Sequence, residues 1–187
     1  MDLGTGDGAA VLRLARREPD TLVIGIDTDV AAMREASDRA SRKPARGGLG
    51  NAHFLAGALE ELPRSLDGTF SGIRVTLPWG SLLRAALEPQ PEFAARVLGL
   101  LRPGGAFELT LSLVERDQAA EAGTLDGASM TALAGAYAAT GFGGLSVHAV
   151  TRADVQASGS TWAKRLGIPH QRSAWMLRGG RPGSSSG

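Results

Sequence analysis

Asp2, Gly4, Gly6 and Gly8 stand at alternate positions of "MDLGTGDG", which runs into an apolar segment with helical spacing. Glycines so spaced let a loop turn sharply and let a ligand lie against the backbone. Asp27 closes the apolar run "TLVIGID", roughly 20 residues on, where an acid at a strand end can take both hydroxyls of a ribose. The loop departs from the dinucleotide pattern, which needs glycine at the position of Ala9. A glycine loop with a second-strand acid fits a nicotinamide cofactor and S-adenosylmethionine alike. Carboxylates at Asp2 and Asp7 tip the balance, because they oppose a pyrophosphate at the helix start and suit an ammonium and a sulfonium.

Two tryptophans occupy unusual settings. Trp79, in "TLPWGSLLR", follows a proline just past an apolar strand, at the sheet edge where open α/β folds bind ligands. Trp162, in "SGSTWAKRL", lies in a polar segment with basic residues behind it. Trp175 sits inside the apolar "SAWMLRG" and is expected in the core. A lone loop tryptophan is usually packing, but two beside a methyl-donor site form a stacking slot for a planar substrate such as an extruded base. In "LEELP", Leu59 offers an apolar face and Glu60 a polar contact for an adenine, or else the segment is only a short helix start.

These residues need a scaffold, and the hydrophobic pattern supplies one. Apolar runs at 21–27, 51–57, 71–78, 106–113, 144–151 and 173–179 read as strands. Helical patterns fall at 9–17, 29–42, 80–87, 91–101 and 127–139, with weaker helicity over 153–167 and "RPGG" stopping the fourth of them. Strands alternating with helices imply an α/β fold with a mostly parallel sheet covered on both faces. The chain opens almost directly on the loop, so the first strand is expected to be largely missing, which would expose its neighbours and part of the cofactor floor. Residues 1–179 are expected to form one domain, and 180–187 a flexible tail.

Composition sets outer bounds. The 187 residues, 43% hydrophobic and 21% charged, suit one soluble globular domain. There is no cysteine, which excludes disulfides, thiolate metal sites and cysteine nucleophiles. His53, His148 and His170 lack ligand spacing, so no metal is expected. Neither a span-length apolar run nor a leader is visible, and a cytoplasmic location is the expectation. Net charge is only +1, yet Arg39, Arg42, Lys43 and Arg46 cluster without an intervening acid, and Lys164, Arg165 and Arg172 form a second basic group. Each is either solvated surface or, if both flank one pocket, the footprint of a nucleic acid.

Taken in order, "DLGTGDG", "IGID", "LPWGSLLR", "RPGG" and "STWAKRL" resemble the aminoglycoside-resistance 16S rRNA (adenine(1408)-N(1))-methyltransferases of the kanamycin–apramycin type. The resemblance covers residues 2 to about 172 and implies a Rossmann-like class I methyltransferase fold with seven strands. It implies S-adenosylmethionine as cosubstrate, and as partner 16S rRNA within the assembled 30S subunit. The cofactor residues it implies are Asp2, Gly4, Gly6, Asp27, Leu59, Glu60, Thr76, Leu77 and Ser81. Trp79 and Trp162 would sandwich the flipped adenine, with Ser160 orienting the second ring. Lys43, Arg46, Lys164 and Arg172 would face rRNA. The family carries an upstream segment and a full first strand, so this chain is expected to be truncated relative to it, and to act as a monomer. Three alternatives stay open: a tRNA guanine-N7 methyltransferase, a non-catalytic rRNA-binding remnant, and a nicotinamide oxidoreductase. The last is disfavoured because the only tyrosine, Tyr137, has no lysine nearby.

Overall fold

A computed structural model describes residues 1–89, 91–113 and 125–183. Seven strands form one sheet in the order β3-β2-β1-β4-β5-β7-β6. These are β1 (Asp2–Leu3), β2 (Val23–Asp27), β3 (Ala52–Ala56), β4 (Phe70–Thr76), β5 (Leu101–Leu111), β6 (Gly143–Ala149) and β7 (Trp175–Gly180). The helices are α1 (Ala9–Arg17), α2 (Val30–Ala40), α3 (Gly80–Leu87), α4 (Pro91–Leu100), α5 (Gly127–Ala139), α6 (Arg152–Ser158) and α7 (Thr161–Arg165). Pairing is parallel from β3 to β5, while β7 runs antiparallel to both β5 and β6. No helix among the described residues is long and apolar enough to cross a membrane.

The first strand is as short as the sequence implies, but its two residues are those that present the loop. Asp2 and Leu3 pair with Gly25 and Ile26 on one side and with Arg74 and Val75 on the other. The amides of Gly4 and Thr5 both donate to the Ile26 carbonyl, at 2.8 and 3.0 Å. The floor expected to be lost is therefore present at the carboxyl end of the sheet. Strand order explains why: β1 lies between β2 and β4, so even a short segment is held from both sides.

Three apolar clusters fix the layers. One packs Ile73, Val75, Phe107 and Leu109 of the sheet against Phe93, Val97 and Leu100 of α4 and Met130 and Tyr137 of α5. The second packs Val11, Leu12 and Ala15 of α1 and Ala36 and Ala40 of α2 against Val23 and Ala52. The third joins Leu77, Val150, Val155, Ala163, Ile168, Ala174 and Met176. It matters most for the site, because it seats the loop after β4 and helix α7 on one small core. Trp175 is half-buried and packs on the first cluster, in keeping with its apolar strand.

Two boundaries differ from the sequence reading. "RPGG" does not separate helix from strand: α4 stops at Leu100, and β5 already starts at the fully buried Leu101. Phe70 pairs with Leu101 and Gly72 with Ala106, so residues 102–105 form an irregularity inside the strand. Strand pairing also continues past residue 179. Strand β7 includes Gly180, and the Arg181 amide donates to the Gly105 carbonyl at 2.9 Å. The Arg181 guanidinium donates to the Leu98 and Leu101 carbonyls, which holds Arg181 beside the same irregularity.

Candidate methyl-donor and base-binding site

At the carboxyl ends of β1, β2 and β4 lies a cavity of about 700 Å³, within the range of small-molecule sites. Its floor is the glycine loop. Gly8, left-handed at φ 68°, caps α1, and a Cβ there would stand 2.5 Å from Phe54 and 2.7 Å from Ala36. Only glycine therefore lets α1 start against α2 and β3. Gly6 is the opposite case: it is also left-handed, and a Cβ there would meet nothing within 4 Å. Its backbone faces open space on the cavity wall, where a ligand can come close.

Asp27 governs this loop. One carboxylate oxygen accepts the Gly6 amide at 2.7 Å and the other the Asp29 amide at 2.9 Å. The carboxylate is thus held in place, and its remaining lone pairs are directed by two fixed bonds rather than by side-chain freedom. Leu59 is buried and Glu60 exposed, and both line the cavity. Glu61 is distinct from Glu60: it accepts the Ala58 amide at 2.7 Å and so fastens the short 3-10 turn Leu59–Glu61.

Asp2 is buried beneath the cavity. One oxygen accepts the Thr5 hydroxyl at 2.8 Å, and the other has no hydrogen-bond partner among the described residues. Thr5 escaped the sequence reading, since one threonine between glycines carries no signal of its own. Burial raises the Asp2 carboxyl above its ordinary value of 3.8, against the opposing pull of Thr5 and of Arg74. The Thr76 hydroxyl, also at the cavity wall, is likewise buried and unpartnered. Two orphaned polar atoms at one wall fit a ligand with polar hydrogens, such as an amino acid's ammonium.

The Asp2 shift makes a sign-specific prediction. Unfolded chain loses this proton near 3.8, whereas folded chain keeps it to higher pH. The native state then binds more protons, so Asp2 makes stability fall as pH rises from 3.8 toward the raised value. Asp2→Asn is expected to raise the melting temperature of the ligand-free protein near neutral pH and to flatten that slope. The same variant is expected to weaken S-adenosylmethionine binding, and melting curves with and without the ligand check both effects.

Trp79 and Trp162 meet at the cavity mouth. Their ring centroids are 5.9 Å apart, at an interplanar angle of 75°. They remain 48% and 37% exposed, uncommonly open for large aromatics. The rings stand edge to face, whereas a base between parallel rings needs about 7 Å, two contact distances of about 3.5 Å. The two rings thus leave no room for a planar group between them unless one of them turns. Leu77, buried and with φ 52°, holds a left-handed conformation that is uncommon outside glycine, and it sets the turn into Pro78 and Trp79. Its amide donates to the Thr110 carbonyl at 2.8 Å, which fixes the turn to β5. On the other wall the Ser160 hydroxyl accepts the Ala163 amide at 3.1 Å and caps α7, one residue beyond Trp162. Ser81 is exposed at the cavity wall in the first turn of α3.

The basic residues do not form one group. Lys164 is exposed on α7, beside Arg165, which lines the cavity; the sequence placed Arg165 only in the second basic group, as solvated surface or nucleic-acid footprint. Lys43 and Arg46 are exposed about the 3-10 turn Pro44–Arg46, which follows α2 and precedes β3. Because α2 runs back against the parallel strands, this turn lies at the opposite edge of the sheet. Arg172 is half-buried and donates to the Ser112 hydroxyl and carbonyl, each at 2.7 Å, at the end of β5. It backs the Trp79 loop, which shares a small cleft with Ser112 and Arg172.

The family model for 16S rRNA (adenine(1408)-N(1))-methyltransferase matches residues 1–181. The chain belongs to this family. It is 34% identical to the enzyme of that name from Streptoalloteichus hindustanus, over 92% of this chain and 81% of that one. It is 41% identical to the enzyme of that name from Streptoalloteichus tenebrarius, over 60% of this chain and about half, 52%, of that one. Among solved structures, it superposes on a mutant of the 16S rRNA (adenine(1408)-N(1))-methyltransferase from Catenulisporales acidiphilia with cosubstrate SAM, at a TM-score of 0.84 and 27% identity. That match covers 100% of this chain and 86% of the other. The fold is thus the Rossmann-like methyltransferase sheet, and the chain is of an enzyme family.

Proposed function

We propose that this protein transfers a methyl group from S-adenosylmethionine to N1 of adenine 1408 in 16S rRNA, within the assembled 30S subunit. One observation carries the reading: two exposed tryptophans from distant segments meet at the mouth of a cavity whose floor is the Asp27-bound glycine loop. The residues at the cavity wall fit the cosubstrate. Asp27 takes the ribose hydroxyls, Leu59 and Glu60 flank the adenine, and Gly4 and Gly6 leave the backbone open to the ligand. Asp2, Thr76 and the Leu77–Ser81 turn face its methionine portion. When bound, S-adenosylmethionine supplies an electrophilic methyl group.

The acceptor chemistry asks little of acids and bases. N1 of adenine carries an in-plane lone pair, so attack requires no proton removal. The ring becomes cationic once N1 is methylated, and the faces of Trp79 and Trp162 stabilise that charge by about 0.5–2 kcal/mol each. Holding N1 in line with the methyl carbon is the larger contribution. Ser160 acts by fixing the helix that carries Trp162. Lys164 and Arg165 stand where an extruded nucleotide's phosphates would pass. Arg172, whose guanidinium donates to Ser112, would act on rRNA from behind the Trp79 loop. A ribosome-sized substrate is large enough to reach Lys43 and Arg46 as well.

Methylation assays on purified 30S subunits and on tRNA test the proposal. Label is expected in 30S only, with primer extension stopping at adenine 1408. Labelled tRNA with silent 30S overturns it. In cells, the family resemblance implies aminoglycoside resistance on expression of the protein.

A further inference from the structure

The helix that carries Trp162 is tied to the cofactor loop. The Thr161 hydroxyl donates to a carboxylate oxygen of Asp7, 154 residues away in sequence. Asp7 lies between Gly6 and Gly8, and its other oxygen accepts the Ala9 amide at 3.1 Å at the start of α1. Two more contacts lay the same segment along α1. Arg17 donates to the Ala157 carbonyl at 3.2 Å, and Gly159, between α6 and α7, packs on the Arg13 side chain. The neighbour of Thr161 is a tryptophan whose ring must turn before a base can enter. The neighbour of Asp7 is a glycine whose amide is held by Asp27.

We propose that the Asp7–Thr161 hydrogen bond couples the two halves of the site, so that cosubstrate bound on the loop sets the pose of Trp162, and RNA engaged on Trp162 tightens the cosubstrate. Thr161 and Asp7 are positioning residues in this scheme, since each acts through its neighbour. Coupling through one bond is reciprocal, and the two ligands must strengthen each other by the same factor. The remaining contacts keep α7 in place when the bond is absent, because Ala163 and Ile168 stay in the third apolar cluster. Removing the bond therefore loosens the pose of the ring without unfolding the arm.

The inference rests on the rRNA methyltransferase reading, and the test separates the two. A non-transferable analogue of S-adenosylmethionine is titrated into the protein alone and with saturating 30S subunits, and the ratio of the two dissociation constants is the coupling factor. For the parent protein and for Thr161→Ser, which keeps the hydroxyl, the ratio is expected to be roughly three to ten, the share of one hydrogen bond. For Thr161→Val, of equal shape, it is expected to fall to about one, with an unchanged melting temperature. Asp7→Ala, which removes the acceptor altogether and is read in the same way, covers the case in which the valine variant fails to fold. A ratio near one in the parent, or an undiminished ratio in both variants, overturns the coupling. Failure of the parent protein to methylate 30S overturns the rRNA reading instead, and is read in a separate assay.

Discussion

Trp79→Ala and Trp162→Ala are each expected to lower methylation of 30S subunits by roughly 10- to 100-fold or more while leaving the melting temperature almost unchanged. Both rings are far from buried, at 48% and 37% exposure, so truncation opens no core cavity. Surface changes of this kind stay within about 0.5 kcal/mol of stability. Stacking on an aromatic ring is worth about 1–3 kcal/mol per base, and about 1.4 kcal/mol is tenfold in rate. Loss of alignment at N1 adds to this, because a misplaced acceptor forfeits the advantage of positioning. The rings touch each other at 5.9 Å, so the double variant is expected to lose less than the product of the single losses. Primer extension at adenine 1408 reads the effect. Full-strength stops in both single variants would refute a two-tryptophan slot.

Asp27→Ala is expected to weaken S-adenosylmethionine binding by about 100-fold in calorimetry. Two losses combine. Hydrogen bonds from ribose hydroxyls to a carboxylate are worth about 1.5–3 kcal/mol. The Gly6 and Asp29 amides, now bound at 2.7 and 2.9 Å, also lose their acceptor, so the loop no longer has a fixed shape. Asp27→Asn separates these contributions, because it keeps one acceptor oxygen for the loop and gives up the charge. An intermediate loss is expected there, of about tenfold. Undiminished binding by the alanine variant would remove Asp27 from the ribose.

The two predictions differ in what each leaves intact. The tryptophan variants should bind cosubstrate normally, since the loop and Asp27 are unaltered. The Asp27 variants should still engage 30S through the exposed rings and Lys164. Crossed measurements of both ligands on both sets therefore test whether the cavity has a donor half and an acceptor half.

By itself, the sequence marked the glycine loop and Asp27, which the fold brings to one cavity wall. Gly4, Gly6, Gly8 and Asp27 carry their meaning locally: φ above zero, close approach and an acid at a strand end are properties of single residues in short windows. Helices α1, α3 and α5 were legible in extent, because period and stop signals both act within a few positions. The unusual settings of Trp79 and Trp162 were legible for the same reason. What joins them was not. Strand β7 inserts antiparallel between β5 and β6, and only that order returns the α6–α7 arm to the loop after β4. The edge-to-face pose of the rings and the Arg172 bond to Ser112 both depend on this arrangement. The Thr161 bond to Asp7 depends on it most plainly, spanning 154 residues. Such contacts are set by strand order and burial, which no local window contains. Tertiary structure alone decided that the glycine loop, the loop after β4 and helix α7 line one cavity.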